Sequence, residues 1–169
     1  MRKWLKPIPV LFLLTAPNFL IIPVSHATDN TLHQTLAGAA NIIVHPTQVK
    51  YSRLKVVGYK KSNQLALKIS DHIAGHPITG KLTDIDKEKY QQLTQLLLDK
   101  NNYANIRQRC SNQHFHGVRF IKGSRKVEFA IGIPCNQVFV AFQDDAETKW
   151  WGSTLGNVAM KKILGVLGG

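Results

Sequence analysis

The chain has 169 residues, with 22 Lys and Arg against 10 Asp and Glu, a formal net charge of +12 and only two cysteines. This length suffices for one domain with a single core. Hydrophobic residues make up 44% of the chain, which excludes the disordered class of low hydrophobicity and high charge. The basic excess favours polyanionic partners, with a purely solubilising role as the alternative.

The first 27 residues have the organisation of a secretory signal peptide. Arg2, Lys3 and Lys6 precede an apolar run over residues 8–24, and residues 25–27 form a small-x-small cleavage site. Three prolines make the run a poor permanent membrane helix, and its retention as an anchor is the alternative that we keep open.

Cleavage after Ala27 would leave residues 28–169 as one exported domain, periplasmic or secreted. Its net charge would be +9, because 19 basic residues would face 10 acidic ones. Outside the cytoplasm we expect the partner to be an anionic envelope component or an envelope protein, and not nucleic acid. No cofactor is indicated.

Residues 109–142 predict a three-stranded antiparallel meander. A two-residue turn at Gly123-Ser124 places Lys122 opposite Arg125 and aligns Arg119 with Glu128 as a cross-strand ion pair. A second turn at residues 134–137 would pair Ile133 with Val138. The predicted core face then consists of Val118, Phe120, Val127, Phe129, Ile131, Ile133, Val138, Val140 and Phe142.

The two cysteines lie at the open end of this meander. An oxidising compartment favours a disulfide between Cys110 and Cys135, and the predicted register brings both to the core side. The alternative is a metal site that uses Cys110, His114, His116 and Cys135, although their spacing matches no standard zinc pattern. His114 and His116 by themselves are expected to be polar residues at a strand entrance.

Residues 51–70 alternate in polarity and predict a β-hairpin with its turn at Ser62-Asn63. One face would be apolar, and the other would present a basic, tyrosine-bearing surface to solvent. The candidate anion- or partner-binding residues are Arg53, Lys55, Tyr59 and Lys68 on the hairpin, joined by Arg107 and Arg109 near the first cysteine. The following segment, residues 71–82, reads as a loop that contains His72 and His76.

Two helices complete the predicted fold. The first begins at Thr83 as N-cap and buries Tyr90, Leu93, Leu96 and Leu97. The second runs from Thr154, with a buried stripe at Leu155, Val158, Ala159, Ile163 and Val166. Its amphipathic end would suit a membrane surface, but packing on the sheet is favoured. The fold class is therefore α+β: an antiparallel sheet of about five strands, a hairpin plus the meander, with both helices on one face.

The run LLLDKNNY, followed by a cysteine, a hairpin and a second cysteine, resembles a helix-Cys-hairpin-Cys pattern of small uncharacterised exported bacterial proteins. The resemblance spans about residues 83–142 and implies export, but no activity.

The sequence contains none of the motifs of a nucleophile elbow, a P-loop, a zinc protease or a C-x-x-C redox pair. We therefore expect a non-catalytic binding or assembly module of the bacterial cell envelope. A metal-handling protein or enzyme that uses the cysteines and histidines above is the alternative, and a secreted inhibitor or effector is the second alternative.

Overall fold

The computed structural model describes residues 27–66, 71–104, 114–143 and 148–168, with side chains described from Leu36 onward except at Tyr59, Asn63 and Thr148. The predicted signal peptide therefore lies outside the described residues, apart from Ala27. Within the described ranges, no helix is both long and apolar enough to cross a membrane.

A large antiparallel sheet forms the centre of the molecule, which confirms the α+β class. The strands are β1 Gln48–Leu54, β2 His72–Ile73, β3 His76–Pro77, β4 Thr83–Asp84, β5 Tyr103–Ala104, β6 His114–Lys122, β7 Arg125–Ile133, β8 Gln137–Gln143 and β9 Thr148–Leu155. The helices are α1 Ala27–Val44, α2 Tyr59–Leu65, α3 Lys87–Leu98 and α4 Asn157–Leu167, with a 3-10 turn at Lys100–Asn102. Seven strands form the sheet in the order β4-β1-β6-β7-β8-β9-β5, while β2 and β3 pair separately. The sheet is larger than the five strands expected.

The hairpin of β6 and β7 has the predicted register. Lys122 lies opposite Arg125 and Arg119 opposite Glu128, around a turn in which Gly123 adopts a φ of +60°. The next register is two residues away from the prediction, because Ile131, and not Ile133, lies opposite Val138. A shift of two preserves the face of every side chain, so all the predicted core residues except Ile133 are buried.

The first face of the sheet, which carries Val118, Phe120 and Phe129, holds the main apolar core. All three are 0% exposed, and full burial of such a side chain stabilises the fold by about 1.5 to 3 kcal/mol. Helices α1, α3 and α4 all contribute buried residues to this core. The prediction that the central and C-terminal helices share one face is confirmed.

Helix α3 begins later than the sequence predicts. Asp86 is the N-cap, and its carboxylate accepts a hydrogen bond from the Lys89 N–H at 2.8 Å. Thr83 instead belongs to β4, where it lies opposite Tyr51 of β1. The predicted stripe is confirmed, since Leu93 and Leu97 are fully buried with Tyr90 and Leu96 packed against the core.

The sequence prediction missed β9. Trp150 and Trp151 lie within this strand, opposite Ala141 and Val140, and point to opposite faces. Leu155 ends the strand and α4 starts only at Asn157. Val158, predicted to be buried, is 69% exposed, and Met160 takes the buried position.

The predicted hairpin over residues 51–70 is wrong. β1 pairs with β6 and β4, and residues 59–65 form α2. Ser62 and Ala66, one helical turn apart, are both buried, and Ser62 lies so close to Gly75 that a Cβ there would fall 1.7 Å from the Ser62 carbonyl oxygen. The helix places these two small residues on one face, where the β2–β3 hairpin approaches closely.

The second face of the sheet, for which no covering element was predicted, is covered. We call α2 with the β2–β3 hairpin, residues 59–66 and 71–78, the cover. The cover and the second face together form a second apolar cluster, made of Leu54, Ala66, Ile73, Ala74, Phe115, Ala130, Phe139 and Ala141. The sheet is therefore sandwiched between three helices on its first face and the cover on its second.

Candidate functional site

The basic surface predicted on the hairpin is only partly assembled. Arg53 and Lys55 are exposed at and just beyond the end of β1, and Tyr59 is the first residue of α2. Lys68, Arg107 and Arg109 lie outside the described residues. The predicted surface therefore changes shape, because its cations lie on a strand end and a helix and not along one hairpin.

Two lysines that the prediction did not include extend this surface. Lys60 and Lys61 are exposed on α2, so residues 53–61 present four exposed cations and contain no acidic residue. We call residues 53–61 the basic segment. Lys81, also exposed, follows Gly80, at which a Cβ would lie 3.4 Å from the Ser52 hydroxyl.

The backbone of the basic segment is held in place. The Lys55 N–H donates to the Pro77 carbonyl at 2.8 Å, and the Arg53 carbonyl accepts from the Thr79 N–H at 3.0 Å. At the other end, the Ser62 N–H donates to the Gly58 carbonyl at 2.9 Å. The cations therefore project from a fixed frame, and a ligand would not have to order the backbone that carries them.

His116 lies beside the basic segment on the first face of the sheet. It is opposite Arg53, and its Nδ1 is 2.7 Å from the Tyr51 hydroxyl. Burial lowers the pKa of His116, and the positive Arg53 and the nearby His114 lower it further. Its imidazole is therefore expected to be neutral near pH 7.

The alternative metal site is not assembled within the described residues. Cys110 lies outside them, His114 is exposed, and Nδ1 of His116 is engaged with Tyr51. No group of three or more His, Cys, Asp or Glu side chains suitable for a metal occurs in the described part of the chain. Cys135 is not a free thiol, and its pairing with Cys110 stays a prediction.

A buried polar network binds the cover to the second face. The Arg119 Nε donates to Glu128 Oε1 at 2.7 Å, with side-chain exposures of 9% and 0%. The second carboxylate oxygen accepts the Ala74 N–H at 2.7 Å, and Arg119 Nη2 donates to the His72 carbonyl. The predicted cross-strand pair is thus confirmed, but it is buried and it anchors the β2–β3 hairpin.

His76 is the centre of the cover and was predicted only as a loop histidine. Its ring is fully buried, stacked at 4.6 Å on Phe115 and lying 5.5 Å from Phe139 between ring centroids. Phe139 in turn stacks on Trp150 at 5.2 Å, and the indole N–H of Trp150 donates to the Ala74 carbonyl at 3.3 Å. The aromatic stack therefore connects the sheet to the cover.

A signal for this second packed layer exists in the sequence. The second-face positions of the central strands carry small residues, Gly117, Ala130, Gly132, Ala141 and Gly152, between larger ones. At Gly117 an added Cβ would lie 2.8 Å from a Leu54 methyl and 3.0 Å from the Ile73 Cδ1. Small residues at these positions indicate close approach of another layer.

The comparisons with known proteins give no relatives. The chain matches no protein-family model, and no curated protein or solved structure is significantly similar to it.

Proposed function

We propose that this protein is a non-catalytic, exported binding module of the bacterial cell envelope, and that its basic segment binds the phosphate groups of anionic envelope lipids. The observation that supports the proposal is the basic segment itself: Arg53, Lys55, Lys60 and Lys61 are exposed on a hydrogen-bonded frame without an acidic residue among them. These four cations fall within nine consecutive residues, and an anionic partner would offset the repulsion among them.

The first acidic residue after the basic segment, Asp71, is engaged by other groups. Asp71 hydrogen-bonds through its carbonyl to the Ile78 N–H, and its carboxylate lies 2.7 Å from His72 Nδ1. Lys81 adds a further exposed cation on the opposing chain segment. The local balance is therefore strongly positive, as recognition of a phosphate-bearing surface requires.

The proposal is tested with vesicles of phosphatidylcholine, prepared with and without phosphatidylglycerol. The protein is expected to sediment only with the anionic vesicles, and less at high salt, because exposed charges are screened over about 8 Å at physiological ionic strength. The variant Arg53→Gln/Lys55→Gln removes two cations worth about 1 kcal/mol each at an anionic surface. Its apparent Kd should therefore rise by about 30-fold.

The matched control is Lys161→Gln/Lys162→Gln, which removes the same charge from exposed positions on α4. It should bind like the wild type. Equal losses in both variants would mean that only net charge matters. If the wild type does not sediment with anionic vesicles at low salt, the lipid proposal is wrong and the partner is to be sought among envelope proteins.

A further inference from the structure

The burial of His76 lacks full hydrogen-bond compensation. Its Nε2 is buried without a hydrogen-bond partner, and its Nδ1 accepts the Val57 N–H at 3.3 Å. In this arrangement Nδ1 is the unprotonated nitrogen of a neutral imidazole. A proton added to Nδ1 would make it a donor that faces another donor, the Val57 N–H. The hydrogen bond that joins the cover to the segment after β1 would then break.

One hydrogen bond to the backbone at Lys55 favours a charged imidazolium at His76, but it offsets only part of the cost of burying that charge. Phe115 and Phe139, from β6 and β8, present aromatic rings. His72 on β2 disfavours a second positive charge, and Arg119 on β6 adds another cation to the second face.

The nearby carboxylates have other partners. Glu128 on β7 is engaged by Arg119 and by the Ala74 N–H, while Asp71 is paired with His72. The α2 lysines are exposed to solvent. A proton on His76 is therefore far better accommodated once the cover has lifted and the ring meets water.

We propose that protonation of His76 opens the cover in acid while the first-face core keeps the seven-stranded sheet folded. Opening would break the Val57 contact and uncover the apolar second face around Leu54, Phe115 and Trp150. The first-face core consists of buried apolar side chains from the sheet and from α1, α3 and α4, so it does not depend on this histidine.

The direction of the pH effect follows from the two states. Burial lowers the pKa of His76 to about 4 in the closed state, and a backbone hydrogen bond with Lys55 offsets only part of that shift. In the open state the ring has its ordinary pKa of about 6.5. The stability of the closed state relative to the open state is therefore at its maximum above pH 6.5, and it decreases as the pH falls towards 4. From these two values, the opening equilibrium should increase about 20-fold between pH 7 and 5 and about 60-fold by pH 4.5.

Hydrogen exchange tests this inference without any ligand, so its failure would leave the proposed lipid binding untouched. Protection factors, corrected for the intrinsic pH dependence of exchange, are compared at pH 7 and 4.5 for two cover amides, those of Ala74 and Ile78, and for the Lys55 amide, which donates to the cover. These three amides donate to Glu128, Asp71 and Pro77 in the closed state. Their protection should fall about 60-fold, while amides of the β6–β7 ladder should change by less than about threefold.

His76→Gln retains an acceptor for the Val57 N–H but does not titrate, and its cover should show no such fall. If this variant does not fold, His76→Phe provides the same test, since a phenyl ring can stack between Phe115 and Phe139. His114→Gln, which removes an exposed histidine, is the matched control and should behave like the wild type. The inference is overturned if cover protection is independent of pH, if it falls equally in both His76 variants, or if the β6–β7 amides lose protection in parallel.

Discussion

The Arg119–Glu128 pair should contribute far more to stability than any surface pair. Its atoms lie 2.7 Å apart at side-chain exposures of 9% and 0%. Removing one partner leaves the other charge buried without compensation, which typically costs about 3 to 5 kcal/mol. We expect Arg119→Met and Glu128→Leu each to lower the free energy of unfolding by an amount in that range.

The double variant separates the pair from its other contacts. Arg119→Met/Glu128→Leu leaves no buried charge, but it removes the partners of the Ala74 N–H and the His72 carbonyl, at about 1 to 3 kcal/mol each. The losses of the two single variants sum to about 8 kcal/mol and the double variant should lose about 4 kcal/mol, which gives a coupling energy of about 4 kcal/mol.

Urea unfolding of the four proteins at pH 7 measures these quantities, provided that the m-value is the same in all of them. Lys89→Met serves as the comparison, since Lys89 and Asp86 are 3.6 Å apart and more than half exposed. It should cost no more than about 1 kcal/mol. Single variants of the buried pair that cost as little as this control, or strictly additive losses, would refute the assignment of the pair as the anchor of the cover.

Three further outcomes are expected. Gly75→Ala should destabilise the protein by several kcal/mol more than Gly123→Ala in thermal unfolding, because both residues have positive φ but only at Gly75 would the Cβ meet backbone; equal losses would contradict the close contact. Intact mass before and after reduction should reveal one disulfide between Cys110 and Cys135, and Cys110→Ser should cost about 3.5 kcal/mol; two titratable thiols in the unreduced protein would exclude it. Exported protein should begin at Thr28, and a mass that retains the first 27 residues would show that the leader stays as an anchor.

The sequence predicted those parts of the fold in which local chemistry alone fixes the geometry. The turn at Gly123-Ser124 and the opposite charges of Arg119 and Glu128 together allow only one register for the central hairpin. The next register failed because alternation fixes the face of each side chain but not the position of the turn, and the last pair is Gly132 with Gln137, one residue earlier than predicted. Asn136, at φ +53°, belongs to that turn, and pairing resumes only at Gln137.

The remaining errors have a common physical origin in tertiary contacts. Residues 60–64 are all polar and were read as the tip of a hairpin, whereas they belong to a helix whose Ser62 packs against Gly75, a contact that the local pattern does not contain. His76 was expected in a loop because Gly75 and Pro77 flank it, while its burial depends on Phe115 and Phe139, which come much later in the chain. Of the predicted binding residues, Arg53 and Lys55 are exposed as expected. Periodicity could not show that their backbone hydrogen-bonds to Thr79 and Pro77, at the edge of the cover.

The chain enters and leaves the cover at one place on the sheet edge. Leu54 bridges Ile78, and the Lys55 N–H donates to Pro77, so the two ends of the intervening segment are adjacent. Topologically the cover is an insert between β1 and β4, and it contributes no strand to the seven-stranded sheet. Because both ends of the cover meet at this junction, the cover can separate from the second face as one unit while β1 keeps its pairings with β4 and β6.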